Sequence, residues 1–505
     1  MAGPVFVAAA CFYLLSGGGY IDGPDGTVMF RATQSFARGS LAVEPLASWP
    51  EHGGVPVDGG KRFYAWFGPG LSAAALPAYL LGRALLPWTA ARERGLFDVE
   101  RRRSGGEPGF RFRTSWYETG EANFAEAFTA FTTGWTNALV TAATLVLLLA
   151  IAVDLGFDAR TSLAVVALAA VASPLWPYAK GFFAEALAAL GLTGFVRFAV
   201  RARRGQAADW AAAGALLGVT MTTRVTHAVL FLPAAMLVLA DCRERSAGEA
   251  RRRLAGFAAG GSLGPAAVGI YNLARFGDPL QTGYGKYAHE WTAPFLEGFA
   301  GLLVSPGHGI LLYCPLVLLS AAAARRFAER APRELAFVAA SLALLVVLYS
   351  KWFLWEGAWC WGPRFLLPLV PLLVLPSAAL LERFGQLGRA ARLAVLAVVA
   401  LALVVTASGV AINFVDYHVW VRAHFAENLP RYRSEGAANY YALLRWGWRF
   451  APPLYLTSLP SQAFFLPLAL GAPGVVLGSF AVFSAGLLGG LLWLRLRLTR
   501  LNDRA

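Results

Sequence analysis

The sequence predicts an all-α polytopic membrane protein. Hydrophobic residues make up 57% of its 505 residues and charged ones only 15%. The mean hydropathy is +0.52. Apolar runs of roughly 17 to 25 residues, each long enough as a helix to cross a ~30 Å hydrocarbon layer, recur along most of the chain. A transmembrane β-barrel would show short alternating segments instead, and the sequence has none of that pattern.

The net charge of +14 does not point to nucleic acid. The arginines sit in short clusters between apolar runs, such as "RARRG" at 201–205 and "CRERSAGEARRR" at 242–253, which is how topology is signalled rather than how a binding groove is built. Cys11, Cys242, Cys314 and Cys360 are scattered, so neither a disulfide framework nor a thiolate metal site is expected. The run at 4–16 lacks a basic stretch before it and reads as a first helix rather than a cleaved signal peptide.

Spanning segments are expected near 4–16, 128–153, 161–178, 184–200, 208–222, 226–241, 254–272, 309–325, 334–350, 365–382, 391–413 and 474–495, about twelve in all. A further run at 68–88 would flip every later segment if it crossed. Leaving it out, with the N-terminus inside, puts the clusters at 201–205, 242–253, 325–333, 382–393 and 495–504 on one side, the cytoplasm. Residues 68–88 are therefore read as an interfacial or re-entrant helix within a first outer loop, 17–127. The basic stretch at 92–113 then lies outside, which long loops tolerate. Residues 1–413 form the transmembrane module, 414–473 a further outer segment, and 474–505 the last helix with a basic tail. The loop mass collects on the non-cytoplasmic face, and chemistry is expected there.

The segment "SGGGYIDGPDGTVMFRATQSF" sets Asp22 and Asp25 just outside the first helix. Read locally, Gly-Pro-Asp-Gly is ordinary turn chemistry. A second acid, Glu185 in "YAKGFFAEAL", falls at the outer end of a later span. There it is either a first-turn acid favoured by the helix dipole or a functional carboxylate at a bilayer border. Arg224, Lys180, Lys351 and Arg364 fall at one membrane level, a set suited to a phosphate group, although each singly also reads as snorkelling to lipid. Tyr178 and the aromatic-rich "WFLWEGAWCWGPR", with Trp361, read as substrate contacts for a sugar ring or as an interfacial belt. No phosphate-loop context surrounds the glycines, and the six histidines show no metal-ligand spacing.

On "IDGPDGTVMF", "YAKGFFAEAL", "YNLARFGDPLQTGYG", "GLLVSPGHGILLYCP" and "WCWGPRFLLPLVPLL" the chain resembles the C-type glycosyltransferases, in the branch of protein mannosyltransferases and aminoarabinose transferases, from about Tyr20 to Pro371. The resemblance implies a sugar moved from a polyprenyl-phosphate donor to a lipid, glycan or protein acceptor at the outer face of the cytoplasmic membrane. It implies a catalytic base at Asp25 or Asp22, where better-known members carry an Asp-Glu pair. It also implies that Glu185, where the family more often has Asp, positions the acceptor or holds a divalent metal. The rival class, a lipid or sugar flippase, predicts polar residues deep within the spans and broken helices in both halves, a pattern the sequence does not favour.

Overall fold

The computed structural model describes residues 1–17, 21, 23–44, 54–89, 124–412, 417, 418, 421, 441, 444–448, 451–455 and 475–502. Asp22, the basic stretch at 92–113 and most of 414–473 lie outside the described residues. The described chain is almost wholly helical; its one two-stranded antiparallel sheet pairs β1 (Val55–Val57) with β2 (Arg62–Tyr64).

Helix α1 (Ala2–Leu15) is followed by α2 (Gly23–Ala37), the hairpin, and the consecutive helices α3 (Gly70–Ala74) and α4 (Leu76–Leu85). Then come α5 (Phe124–Asp154), α6 (Ala159–Val171), α7 (Leu175–Lys180), α8 (Glu185–Arg203), α9 (Asp209–Thr223), α10 (Phe231–Cys242), α11 (Ala247–Gly261) and α12 (Leu263–Phe276). After these come α13 (Phe295–Val304), the single turn Ile310–Tyr313, α14 (Leu316–Arg330), α15 (Pro332–Ser350), the mixed α/3-10 span α16 (Arg364–Leu381), α17 (Arg389–Ala411) and α18 (Val475–Asn502).

All twelve expected spans are helical over most of their length. Among the described residues, seven helices are long and apolar enough to cross a bilayer: 128–154, 225–242, 247–276, 332–350, 364–381, 389–411 and 481–499. The chain is an all-α polytopic membrane protein. The span expected at 161–178 is two helices, one ending at Val171 and the next starting at Leu175, around Pro174, which has no N–H to donate and disfavours helical geometry in the residue before it. The one expected at 309–325 is likewise interrupted at Cys314–Pro315. Two helices were not expected: α13, and α2, where a turn was the local reading. Gly23 takes a left-handed φ of 74° and starts α2, with Asp25 in its first turn. Within 68–88, α4 has 10 residues, or about 15 Å of rise, too short to cross alone, and its Gly82 lies against Thr129 and Thr132 of α5.

Small residues let the helices approach closely, as expected where lipid supplies no hydrophobic drive between helices. A Cβ on Gly214 of α9 would sit 2.4 Å from the Phe257 carbonyl oxygen of α11. The ends are secured by local chemistry. Asp158 caps α6 through the backbone N–H of Arg160 and Thr161, and Ser246 caps α11 through Glu249 N–H.

Four of the arginine clusters, 201–205, 242–253, 325–333 and 382–393, converge at one end. Arg253 is fully buried and donates to Asp241 at 2.6 Å, to Glu249 at 2.6 Å and to the Ala202 carbonyl at 2.8 Å. Arg245 reaches the Arg203 carbonyl at 2.8 Å and Arg330 pairs with Glu382 at 2.9 Å. Arg203 pairs with Glu334, and Arg333 with Glu244. Glu185 and Arg203 are the first and last of the 19 residues of α8, so Glu185 stands about 27 Å from this end.

Candidate active site

At the opposite end, side chains from four remote segments meet. Asp25 is carried by the first turn of α2, which leans on the loop before α8: a Cβ on Gly26 would lie 3.2 Å from the Phe182 carbonyl oxygen. Glu185 opens α8, where the helix N-terminus favours a carboxylate. Arg224 stands at the break after α9 in extended geometry, φ −149° and ψ 127°, so its side chain leaves the helix path. Arg364 opens α16 after a tight loop in which Gly357, Ala358 and Gly362 all have positive φ, an arrangement strained at the non-glycine Ala358.

The Arg364 guanidinium donates Nε–H to Glu185 Oε1 at 2.7 Å and Nη1–H to Asp25 Oδ2 at 2.6 Å. Arg224 donates to the same Glu185 Oε1 through Nε at 3.0 Å and Nη2 at 2.7 Å. The Glu185 side chain is 0% exposed, whereas that of Asp25 is 18% exposed. Glu185 Oε2 is buried without a hydrogen-bond partner. Each cation also lies over a ring: Arg364 over Phe183 at 4.5 Å and Arg224 over Phe365 at 4.9 Å, the latter ring stacked on Tyr349 at 4.1 Å. Two acids and two guanidiniums sum to zero charge, which is what makes the burial tolerable.

Of the two acids and four cations that the sequence sets at one membrane level, Asp25, Glu185, Arg224 and Arg364 are joined by these bonds, which include neither Lys180 nor Lys351. Tyr178 and Trp361 touch one another, the Tyr178 hydroxyl donating to the Trp361 carbonyl at 3.0 Å. Lys180 donates to the Val410 carbonyl at 2.6 Å and lines a neighbouring pocket with Tyr178 and Trp361. Lys351 is exposed, and its carbonyl accepts from Ala293 N–H at 3.1 Å.

Two residues escaped sequence reasoning. Asn137, buried in α5, donates to the carbonyls of Gly181 at 2.8 Å and Phe183 at 2.9 Å, pinning the loop that delivers Glu185. The signal for it was a lone amide inside the apolar run at 128–153. Tyr284 faces the charged centre from the segment after α12. Burial pushes its phenol up, while Arg224 opposes that, with Asp25, Arg364 and Glu185 also within electrostatic reach. Its placement follows from Gly283, where a Cβ would lie 2.6 Å from Trp66 Cα, and from the Trp66 and Tyr287 rings, 5.2 Å apart. Nothing local in "QTGYG" announces this.

Among the described residues no three His, Cys, Asp or Glu side chains converge as a metal site. Both guanidiniums are held on Glu185 Oε1, and their two positive charges beside the carboxylate repel a cation at either of its oxygens. The arrangement does not fit a divalent metal at Glu185.

Fold and centre define a polytopic helical membrane protein with a buried, charge-balanced cluster of two acids and two arginines at one end of its bundle. No family model and no curated protein matches the chain. Solved structures similar to it include two of one protein. One is ArnT from Cupriavidus metallidurans in the apo state, 16% identical over 96% of this chain and 74% of that one, with a TM-score of 0.48. The other is ArnT from the same organism bound to undecaprenyl phosphate, 19% identical over 96% of this chain and 77% of that one, with a TM-score of 0.46.

Proposed function

We propose that the chain is a membrane glycosyltransferase that moves a sugar from a polyprenyl-phosphate donor to an acceptor hydroxyl at the non-cytoplasmic face of the cytoplasmic membrane. The observation that carries this reading is the Asp25–Arg364–Glu185–Arg224 cluster, at the end of the bundle opposite the arginine clusters.

In this reading Asp25, the more exposed acid, takes the proton of the acceptor hydroxyl as its oxygen attacks the anomeric carbon. The bond from that carbon to the phosphate oxygen breaks, and its electron pair leaves with the phosphate towards Arg364 and Arg224, whose planar forks match phosphate oxygens. Attack opposite the leaving group inverts the anomeric centre and needs no covalent sugar–enzyme intermediate. Glu185, spent on both guanidiniums, orients them rather than touching the acceptor. The Arg364–Asp25 bond gives the order of events: an arriving phosphate draws Arg364 away and leaves Asp25 a stronger base. Asp22 is the alternative counterpart of the base. Tyr178, Trp361, Lys180 and Lys351 belong to the substrate-binding periphery.

The test compares envelope glycolipids and glycans from a deletion strain, from its parent, and from the deletion strain carrying Asp25→Asn. The expected result is a glycosylated species present in the parent, lost on deletion and not restored by Asp25→Asn. Identical profiles in all three strains would overturn the reading.

A further inference from the structure

The turn that carries Arg364 needs outside support. Gly357 has a φ of 92°, Ala358 of 60° and Gly362 of 60°, and a left-handed conformation at a non-glycine residue persists only where its surroundings impose it. That support comes from a distant segment. Arg445, within 414–473, donates Nε–H to Glu356 Oε2 at 3.1 Å and Nη2–H to the Phe353 carbonyl at 3.0 Å, with Nη2 also 3.0 Å from Glu356 Oε2. Its Nη1–H goes to Glu297 of α13 at 3.2 Å, and its guanidinium lies 5.3 Å from the centre of the Trp355 ring. The backbone of the same residue is tied in as well, its carbonyl accepting from Gly307 N–H at 3.3 Å and from the Ser305 hydroxyl.

Glu356 stands immediately before the first positive φ. Its side chain is 1% exposed and that of Arg445 is 15% exposed. From Glu356 the hold passes to Arg364 by direct packing. A Cβ on Gly357 would lie 3.1 Å from Arg364 Cβ and 3.4 Å from Arg364 Cδ, so the turn's backbone rests on the stem of the arginine. The Cys360 thiol donates to the Glu356 carbonyl at 3.3 Å, and Arg364 N–H donates to the Gly362 carbonyl at 2.9 Å, closing the turn on itself. Removing the Arg445 cation would leave Glu356 buried beside no guanidinium of its own, a state relieved by opening the turn and wetting the acid.

We infer that Arg445 is a positioning residue for the reaction centre: by clamping Glu356 and the Phe353 carbonyl it fixes the strained turn, and so sets the Arg364 guanidinium between Asp25 and Glu185. The hold on the turn stands on this geometry. Its consequence for phosphate rests on the transferase reading.

Two measurements on the full chain in detergent test it, with melting temperatures read alongside. The first is thiol labelling, resolved site by site by peptide mass spectrometry. Cys360 is 2% exposed and burial pushes its thiol up to about 12, so it reacts when the turn opens. Arg445→Met is expected to speed its labelling roughly tenfold or more, the scale of a lost charge-assisted hydrogen bond, with Cys242 at the arginine-rich end unchanged. The second is affinity for undecaprenyl phosphate in a double-mutant cycle with Arg364→Met. Arg445→Met should weaken binding roughly three- to tenfold alone, and less than about twofold once Arg364 is gone. Arg445→Lys keeps the charge without the fork and should recover part of both effects. If Arg445→Met melts early, Glu356→Gln, which keeps the shape of the side chain and loses its charge, carries the comparison. Labelling of Cys360 at the parental rate would overturn the inference. So would an affinity loss equally large with and without Arg364, or parental affinity in Arg445→Met where Arg364→Met binds weakly. If Arg364→Met itself binds the lipid as the parent does, the phosphate role of Arg364 falls, and the Cys360 rate alone decides whether Arg445 holds the turn.

Discussion

Arg364 Nη1 lies 2.6 Å from Asp25 Oδ2, joining residues 339 positions apart in the sequence, while its Nε holds Glu185 Oε1 at 2.7 Å. One guanidinium therefore couples both acids, and anything that competes for it acts on Asp25.

Asp25→Asn follows from that coupling. If Asp25 is the base, transfer falls by roughly 10² to 10⁴. The same change removes the anion that competes for Arg364, so affinity for undecaprenyl phosphate rises instead of falling, by up to about tenfold. Turnover and binding measured on one preparation check both halves. Weaker lipid binding in Asp25→Asn would show that the pair does not gate the phosphate.

Asn137→Leu should destabilise the chain by about 1–3 kcal/mol, because the carbonyls of Gly181 and Phe183 lose their buried donor. The loop they belong to delivers Glu185, so transfer should fall further than the loss of folded protein explains. Activity per folded molecule, with the folded fraction from thermal melts, separates the two effects. A loss explained wholly by unfolding would remove Asn137 from the positioning of Glu185.

Tyr284→Phe keeps the ring and removes the hydroxyl that faces the cluster. Burial holds that phenol above its ordinary range, so it stays protonated across the working pH, with a hydrogen to donate to a ligand and no role as a titrating base. The expected result is a kcat/KM lowered roughly five- to tenfold, the scale of one hydrogen bond, with the shape of the pH profile and the melting temperature unchanged. Loss of the alkaline limb would instead assign Tyr284 a proton-transfer role.

The proposed topology is checked by single-cysteine labelling after replacement of Cys11, Cys242, Cys314 and Cys360. Lys61→Cys lies at an exposed position of the hairpin and Arg243→Cys at an exposed position of the arginine-rich end. Membrane-impermeant reagent applied from outside should label Lys61→Cys, together with a cysteine near position 110, and should not reach Arg243→Cys. Labels reaching 61 and 110 from opposite sides would mean that 68–88 crosses.

The sequence by itself determined the membrane class, the helical content and the grouping of the arginine clusters, because hydropathy and charge between spans are local quantities that no later packing reverses. It also singled out Asp25, Glu185, Arg224 and Arg364, since a charge at the edge of an apolar run is conspicuous one residue at a time. Only the tertiary structure decided how those four pair. Which oxygen takes which guanidinium depends on α2, α8, the break after α9 and the strained loop before α16 arriving at one point, and no spacing in the chain encodes that meeting. Tyr284 was hidden for the same reason. A tyrosine in a loop gains its meaning from the neighbours that burial gives it, and those neighbours are distant in sequence.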